Sequence, residues 1–310
     1  MGKKLLIKAP SRLHFGIVNP FSNNYRLYVS SGVAISQPST TVEIHVDGDL
    51  CFEGCRSDEV QAKLGWFLRK YEVEKGSVKI IECVDKHVGL GSTTQLLLSV
   101  AKGLAIANDI EIDIETLARE LGRGNISGVG TYVFTYGGFV VDAGKKGPED
   151  FPKLLLRLEF PEEWRFIVII PPGKGLSEKE EREVFTQRHP VKEELIWKAS
   201  HYLFHELIPA LLDRDFHAFA RALGVLQETI GIMFSELQGG IYAGYSQYAV
   251  KILRKHGIEG VGQSSWGPSV YGVVESEDQA IKVLNEIRKE IEGKVFIARP
   301  QNHGAVFNLN

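Results

Sequence analysis

Residues suited to binding an anion are concentrated in the segment GLGSTTQ, residues 89–95. The apolar, alanine-rich stretch LLLSVAKGLAIA follows it and predicts a buried helix that begins near Ser92 or Thr93. Glycines in front of a helix let backbone N–H groups converge, and the helix dipole adds positive potential there. We therefore predict a phosphate-binding loop, with a purely structural turn as the alternative. Its candidate ligands are Gly89, Gly91, Ser92, Thr93 and Thr94, and the Ser92 hydroxyl is also able to bind a magnesium ion.

A basic residue suited to the same anion lies in the segment PSRLHFG, residues 10–16. In an extended strand Arg12 and His14 lie on one face, because successive side chains point to opposite sides. The Arg12 guanidinium can bind phosphate or carboxylate through two parallel hydrogen bonds, while a surface salt bridge is the alternative. Arg12, His14 and Ser92 are therefore the candidate catalytic residues.

A second glycine-rich segment, VGQSSWGPSVYG at residues 261–272, joins two strand-like stretches. Gln, Ser and Trp are costly residues to place in a tight turn with a purely structural role. The segment therefore favours a binding function over an ordinary β-turn at Gly267 and Pro268. Its candidate binding residues are Ser264, Ser265 and Trp266.

The elements that must position these segments alternate between strands and helices. The first 55 residues are rich in β-branched residues and predict several strands. Apolar residues at helical spacing then predict a helix from Ser57, followed by a strand over residues 77–84. After the helix that follows the glycine loop, a second one is predicted at about residues 115–121. The run GRGNISGVGTYVFTYGGFVVDAG reads as glycines between strand-like segments.

The second half of the chain predicts a smaller α+β layer. Gly, Pro and mixed charge in GKKGPEDFPK indicate a domain boundary near residue 150, so we assign domains to residues 1–150 and 151–310. The strand WRFIVIIPP opens the second domain, and three or four helices follow. The pattern then returns to short strands around one further helix at about residues 277–291.

Composition restricts the class of protein. A chain of 310 residues with 44% hydrophobic residues is long enough for about two cores. A net charge of −3 without a Lys/Arg block argues against a nucleic-acid partner. The first apolar run stops at Ile7, which is too short for a signal peptide or a membrane span, so we expect a cytoplasmic protein. The three cysteines, Cys51, Cys55 and Cys83, fit reduced thiols better than a disulfide framework.

Taken together, the order and spacing of the three segments resemble the superfamily of galactokinase, homoserine kinase, mevalonate kinase and phosphomevalonate kinase, the GHMP superfamily. The resemblance spans nearly the whole chain. It implies a two-domain α+β fold, in which an S5-domain-2-like N-terminal domain carries the phosphate loop and a ferredoxin-like C-terminal domain follows. In the kinases a Pro-Ser-Gly-x-Asp pattern supplies the catalytic base, but Ile126–Gly130 places Gly130 where that Asp belongs. The usual base is therefore missing.

The sequence motifs resemble a non-kinase branch of this superfamily more than they resemble the kinases. That branch is the β-ribofuranosylaminobenzene 5′-phosphate synthases of methanopterin biosynthesis. Two positions depart from that pattern: Thr93 replaces an expected glycine, and Ser30-Ser31 replaces an expected glycine pair. The matching stretches are SRLHFG, SSGVAISQP, GLGSTTQ, GRGNISGVGTYVFTYGGFVVDAG, PGKGLSEKEEREVF, GQSSWGPSVYG and ARPQNHGAVF.

This resemblance implies a reaction between phosphoribosyl diphosphate and 4-aminobenzoate or 4-hydroxybenzoate, with loss of CO2 and diphosphate. Such chemistry requires no strong base, and much of its rate would come from holding both reactants in line. The resemblance further implies Mg²⁺, a homodimer, and substrate contacts by Ser127 and Gly128. Asp142 is a magnesium ligand or a turn cap. Arg12, Arg26, Lys174 and Arg299 are candidates for the 5′-phosphate and the benzoate carboxylate, and Trp266 or Phe15 for stacking on the ring. The alternatives are an ATP-dependent kinase and a non-catalytic sugar-phosphate sensor.

Overall fold

A computed structural model describes residues 3–147, 149–187 and 189–310, and the strands within them form two sheets. The first has the order β11-β1-β2-β4-β3, with β5 paired to β2 and β6 paired to β5, and the second has the order β10-β7-β9-β8. The strands are β1 (Lys4–Ile17), β2 (Ser30–Asp49), β3 (Cys51–Gly54), β4 (Lys75–Glu82), β5 (Phe139–Asp142), β6 (Leu154–Leu158), β7 (Arg165–Ile170), β8 (Val261–Gln263), β9 (Val270–Val274), β10 (Lys294–Ala298) and β11 (Val306–Leu309).

The helices cover these sheets and connect them. The helices predicted from Ser57 and from Ser92 or Thr93 are confirmed; the first begins at Ser57 with Arg56 as its N-cap, and the second begins at Ser92. They are α1 (Ser57–Lys70), α2 (Ser92–Ala107), α3 (Ile114–Glu120), α4 (Val129–Tyr136), α5 (Glu178–Thr186), α6 (Glu193–His201), a π-helical segment (Tyr202–Leu207), α7 (Ile208–Asp213), α8 (Phe216–Met233), α9 (Ser235–Gln238), α10 (Ser246–Lys255) and α11 (Glu277–Ile287).

The second sheet has the ferredoxin-like arrangement that the resemblance implies. Along the chain β7 is followed by helices, then β8, β9, α11 and β10, while in space β7 lies between β10 and β9. All three pairings in this sheet are antiparallel. One face of it is packed by α10 and α11 around Ile167, Ile169 and Leu253, which are fully buried.

The first sheet extends beyond the predicted boundary at residue 150. Both β6 and β11 lie after that residue, yet β6 pairs with β5 and β11 pairs with β1. The Gly- and Pro-containing stretch near residue 150 is therefore the connection of a β5–β6 hairpin. Composition cannot distinguish such a loop from a linker, because both need the same turn-forming residues.

One predicted strand is a helix in the structure. Residues Val129–Tyr136 form α4, although they are rich in β-branched and aromatic residues. Thr131, Val133 and Phe134 are all buried, since α4 packs between the first sheet and α2. Burial of most of the helix rewards apolar bulk whatever the backbone conformation, and this tertiary effect outweighs the local strand preference.

A single aromatic core joins the two sheets. The Phe15 ring of β1 lies 5.4 Å from the Tyr271 ring of β9 and 6.4 Å from the Phe166 ring of β7, measured between centroids. Phe139 of β5 packs on the same ring at 6.0 Å. Phe15 is therefore a core residue and does not offer its face to a substrate, so of the two candidates for stacking on the ring only Trp266 remains.

The helices and the cysteines bear on two further predictions. No helix in the described part of the chain is long and apolar enough to cross a membrane. The expectation of three reduced cysteines is wrong, because Cys55 and Cys83 form a disulfide while Cys51 is a free, exposed thiol. Parallel pairing of β3 with β4 brings their following residues together, with the two Cα atoms 6.3 Å apart.

Candidate active site

The three predicted segments meet at one point, the carbonyl oxygen of Gly89. Arg12 Nη1 donates to this oxygen at 2.6 Å, and so does the Ser264 hydroxyl, also at 2.6 Å. The Ser264 oxygen in turn accepts the backbone N–H of His14 at 2.9 Å. Ser264 is fully buried, so its role is to hold β1, the loop before α2 and the loop after β8 together.

A cavity of about 190 Å³ opens beside this junction. Its lining includes the basic residues Arg12, Arg123 and Arg182 and the apolar residues Ile230, Phe234 and Trp266. It is large enough for part of a sugar phosphate beside an aromatic ring. The other lining residues include Gly91, Thr94, Asn125, Ser127, Gly130, Glu181, Gln227, Tyr242 and Ser265.

The loop before α2 divides its predicted ligands into two groups. Gly91 and Thr94 line the cavity. Ser92 is buried and absent from the lining, and the Thr93 hydroxyl accepts a hydrogen bond from Arg56 at 2.8 Å. Thr93 thus binds the protein rather than the cavity, and the sequence contains no local signal for that contact, since Arg56 is 37 residues away.

Gly91 is required where it stands. Its φ is +76°, and a Cβ added there would lie 2.9 Å from Cγ of Arg12. Left-handed φ and close approach both favour glycine. As a result the first turn of α2 and the Arg12 guanidinium face the same part of the cavity, and both attract an anion.

The charge of Arg12 is suited to that role. Burial lowers the pKa of Arg12 to about 10, and Glu181 opposes the shift, so the guanidinium stays charged at neutral pH. Its Nε is buried, and no group among the described residues accepts a hydrogen bond from it. A buried, incompletely bonded cation beside a helix N-terminus is an arrangement that an anion completes.

Behind Ser127 lies a chain of buried polar groups. His14 Nε2 is 3.0 Å from the Ser127 hydroxyl, which is 2.7 Å from the Ser30 hydroxyl. Ser30 donates to Asp142 Oδ2 at 2.5 Å. Burial raises the pKa of Asp142 to about 6, while burial and the nearby Arg12 hold the pKa of His14 well below its usual range. Gly128 takes part through its N–H, which donates to Asp142 at 2.8 Å.

These contacts do not fit Asp142 as a magnesium ligand. It is fully buried and lies outside the cavity lining, and its second oxygen accepts the N–H of Gly144 at 2.9 Å. The structure thus gives it the alternative role, that of a turn cap. Ser92, the second predicted ligand, does not line the cavity either. Within the described residues no group of three His, Cys, Asp or Glu side chains is arranged to hold a metal.

The predicted basic ligands are also partly replaced. Arg299 donates to Glu277 at 2.8 Å, and Arg26 donates to the carbonyl of Ala143 at 2.7 Å, so both are bound outside the cavity. Lys174 is not in the lining. The cavity lining instead includes Arg123 and Arg182. In the sequence Arg123 lies within the glycine-rich run, and Arg182 lies within a charged stretch typical of a solvated helix. Neither pattern distinguishes these arginines from surface residues.

The aromatic wall retains one predicted residue. Trp266 packs edge-on against Phe234, with centroids 4.9 Å apart. Ser265, beside it, also lines the cavity and has a φ of +59°. Trp266 thus offers an apolar surface to the cavity from the loop that Ser264 fixes to Gly89.

Comparison with known proteins agrees with this fold. The sequence pattern of the family described as GHMP kinases C terminal matches residues 207–293. A homoserine kinase from Cytophaga hutchinsonii superposes with a TM-score of 0.70 at 17% identity, over 98% of this chain and 97% of its own. A mevalonate diphosphate decarboxylase from Staphylococcus aureus gives 0.68 at 14% identity, over 99% and 98%. Residues 207–293 thus match the C-terminal domain of the GHMP kinases, and the whole chain shares the fold of these two structures.

The full-length relatives place this protein in the synthase branch. It is 28% identical to a protein named β-ribofuranosylphenol 5′-phosphate synthase from Methanothermobacter thermautotrophicus, over 97% of this chain and 98% of the relative. A protein of the same name from Archaeoglobus fulgidus is 26% identical over the same shares. The predicted branch is confirmed, and so is the prediction of an enzyme of the pentosyltransferase class.

Proposed function

We propose that this enzyme joins phosphoribosyl diphosphate to 4-hydroxybenzoate or 4-aminobenzoate, releasing CO2 and diphosphate, in the biosynthesis of a methanopterin-type cofactor. The observation that supports it is the pairing, in one cavity, of an anion-binding end at Arg12 and Gly91 with an aromatic wall at Trp266. The relatives' name contains a phenol, which favours 4-hydroxybenzoate as the acceptor.

In this proposal the diphosphate lies against Arg12 and Gly91. When the bond from C1 of the ribose to the diphosphate oxygen breaks, the oxygen keeps the electron pair, and Arg12 and the first N–H groups of α2 stabilise the new charge. The ring carbon that bears the carboxylate then bonds to C1. Loss of CO2 returns the electron pair of the broken bond to the ring and restores its aromaticity.

The remaining charges have candidates elsewhere in the cavity lining. Arg123 and Arg182 would bind the 5′-phosphate or the benzoate carboxylate, and Trp266 and Phe234 would contact the ring. Magnesium stays in the proposal only as a counter-ion that the diphosphate carries. The homodimer is likewise part of the proposal.

The test mixes the purified protein with phosphoribosyl diphosphate, a magnesium salt and carboxyl-labelled 4-hydroxybenzoate or 4-aminobenzoate. We expect labelled CO2 and diphosphate in equal amounts. Release of labelled CO2 at the background rate with both acids would contradict the proposal. A kinase would need a carboxylate at position 130, where this protein has Gly130 in the cavity lining. ADP formation that depends on an alcohol acceptor would support the kinase alternative. Binding of phosphoribosyl diphosphate without turnover would favour the sensor.

A further inference from the structure

Ser127 connects the cavity to a carboxylate that no substrate can touch. Its side chain lines the cavity, whereas Ser30 and Asp142 behind it are fully buried. The path from Ser127 through Ser30 to Asp142 has steps of 2.7 and 2.5 Å, and the direct step from Ser127 to Asp142 is 3.3 Å. An unbroken line of hydrogen bonds therefore leads from the cavity into the protein.

The protons along this line have one consistent direction. The N–H of Gly16 donates to His14 Nδ1 at 3.0 Å, so the neutral imidazole carries its hydrogen on Nε2 and donates to Ser127. An ionised Asp142 only accepts, so the Ser30 hydroxyl donates to it. The Ser127 hydroxyl is left to donate toward Ser30 or Asp142. A proton that enters at Ser127 would thus move inward and end on Asp142.

Asp142 is suited to holding a proton for a short time. Burial raises its pKa to about 6, against the hydrogen bonds from Ser30, Gly144 and Gly128 that lower it. Of the titratable groups on neighbouring elements, His14 on β1 is neutral and burial raises the pKa of Tyr132 on α4 above its usual value. The cations Arg26 and Lys145 belong to the loops beside β5, where Arg26 is bound to backbone carbonyls.

The proposed reaction needs such a store. As the ring of 4-hydroxybenzoate bonds to C1, electron density from its oxygen enters the ring, the O–H proton leaves, and a dienone with a C=O bond forms. When CO2 departs, the electron pair of the C–C bond restores the aromatic ring, and the oxygen takes the proton back. The proton is absent for one intermediate only, and none is gained or lost overall.

The Ser127 oxygen also accepts the N–H of Val129 at 3.2 Å. We propose that the acceptor hydroxyl displaces this longer bond, that Ser127 receives the hydroxyl proton, and that it passes its own through Ser30 to Asp142, which returns it when CO2 leaves. This inference rests on the proposed function and deepens it. Ser127 is the catalytic residue, since it contacts the substrate oxygen, and His14 positions it. The relay places the acceptor hydroxyl against Ser127.

The test compares two acceptors that differ in the acidity of the same hydroxyl. The first is 4-hydroxybenzoate, and the second is 3,5-difluoro-4-hydroxybenzoate, whose hydroxyl is largely ionised at neutral pH. The variants are Ser127→Ala and Asp142→Asn. Ser31→Ala is the matched control, because Ser31 is an equally buried serine on β2 whose side chain points to the opposite face.

With 4-hydroxybenzoate we expect both variants to lose roughly a hundredfold in kcat, the usual size of a proton-transfer contribution, with little change in KM for phosphoribosyl diphosphate. With the difluoro acceptor the ratio of wild type to variant should fall to about threefold or less, because no proton remains to be moved. Ser31→Ala should resemble wild type with both acceptors.

Equal losses with both acceptors would show that the two residues only maintain the structure, and would overturn the relay. If Asp142→Asn does not fold, Ser127→Ala decides the matter alone, since Asp142 then keeps its bonds from Ser30, Gly128 and Gly144. Wild-type protein that releases no CO2 overturns the proposed function, and the relay with it.

Discussion

At position 91 a single glycine brings together the two groups that face an anion, the Arg12 side chain and the first turn of α2. Its φ of +76° and the 2.9 Å from an added Cβ to Arg12 Cγ leave no room for another residue. A larger side chain would push Arg12 away from the cavity. The cost would therefore appear in diphosphate binding, beyond the backbone strain that any substitution at positive φ brings.

We predict that Gly91→Val lowers kcat/KM at least a hundredfold, which corresponds to about 2.7 kcal/mol, and weakens inhibition by diphosphate. Gly257→Val is the matched control, because Gly257 has the same φ of +76° with nothing within 4 Å. The melting temperatures of the two variants should fall alike, while only Gly91→Val loses turnover. A Gly91→Val protein as active as wild type would remove this loop from the site.

At the scale of elements, the site depends on three loops and strands that are far apart in sequence and joined by Ser264. Its hydroxyl binds the carbonyl of Gly89 and the N–H of His14, and these bonds bridge 175 and 250 residues of chain. Gly267, on the same loop, contacts the backbone of Gly89 so closely that no Cβ could fit between them. The loop after β8 and the loop before α2 therefore behave as one unit.

Ser264→Ala should destabilise the fold and reduce activity together. It leaves the buried His14 N–H without a partner, a loss of about 1 to 3 kcal/mol, and it loosens the loop that carries Trp266. Thermal unfolding and CO2 release would be measured beside Ser265→Ala. That variant should keep its melting temperature, because the Ser265 side chain makes no hydrogen bond with the described residues. Unchanged unfolding of Ser264→Ala would contradict a joining role.

At the scale of the whole molecule, the two sheets share an aromatic core, and the chain passes from the first sheet to the second and back again. Phe15 and Phe139 of the first sheet pack in the same cluster as Phe166 and Tyr271 of the second, and the chain returns to the first sheet at β11. Domains that share a core this way lose apolar contacts when they are separated. Neither half is complete without the other.

We accordingly predict one cooperative unfolding transition in calorimetry and no folded product from residues 1–150 alone. That fragment would lack β6 and β11 and would expose Phe15 and Phe139 to water. Two well-separated transitions, or a soluble fragment with a protected amide core, would count against this. Deletion of residues 306–310 is the milder companion experiment, since it removes only the edge strand β11 and should lower the melting temperature without splitting the transition.

Some of this protein was determined by local sequence. Helical spacing predicted α1, and the apolar run after GLGSTTQ predicted α2 with its glycine N-terminus, because side-chain periodicity and turn chemistry act over a few residues. The three site segments were found the same way, and Arg12, Gly91 and Trp266 do line the cavity. The Gly130 position indicated a branch without the kinase carboxylate.

Only the tertiary structure decided which side chains face the cavity. Thr93 is bound by Arg56, Arg299 by Glu277 and Asp142 by Ser30, each across a sequence gap that no local pattern spans. Arg123 and Arg182 enter the site because their loop and helix fold over it. The role of a polar side chain depends on which group lies within hydrogen-bond distance of it, and long-range packing determines which group that is.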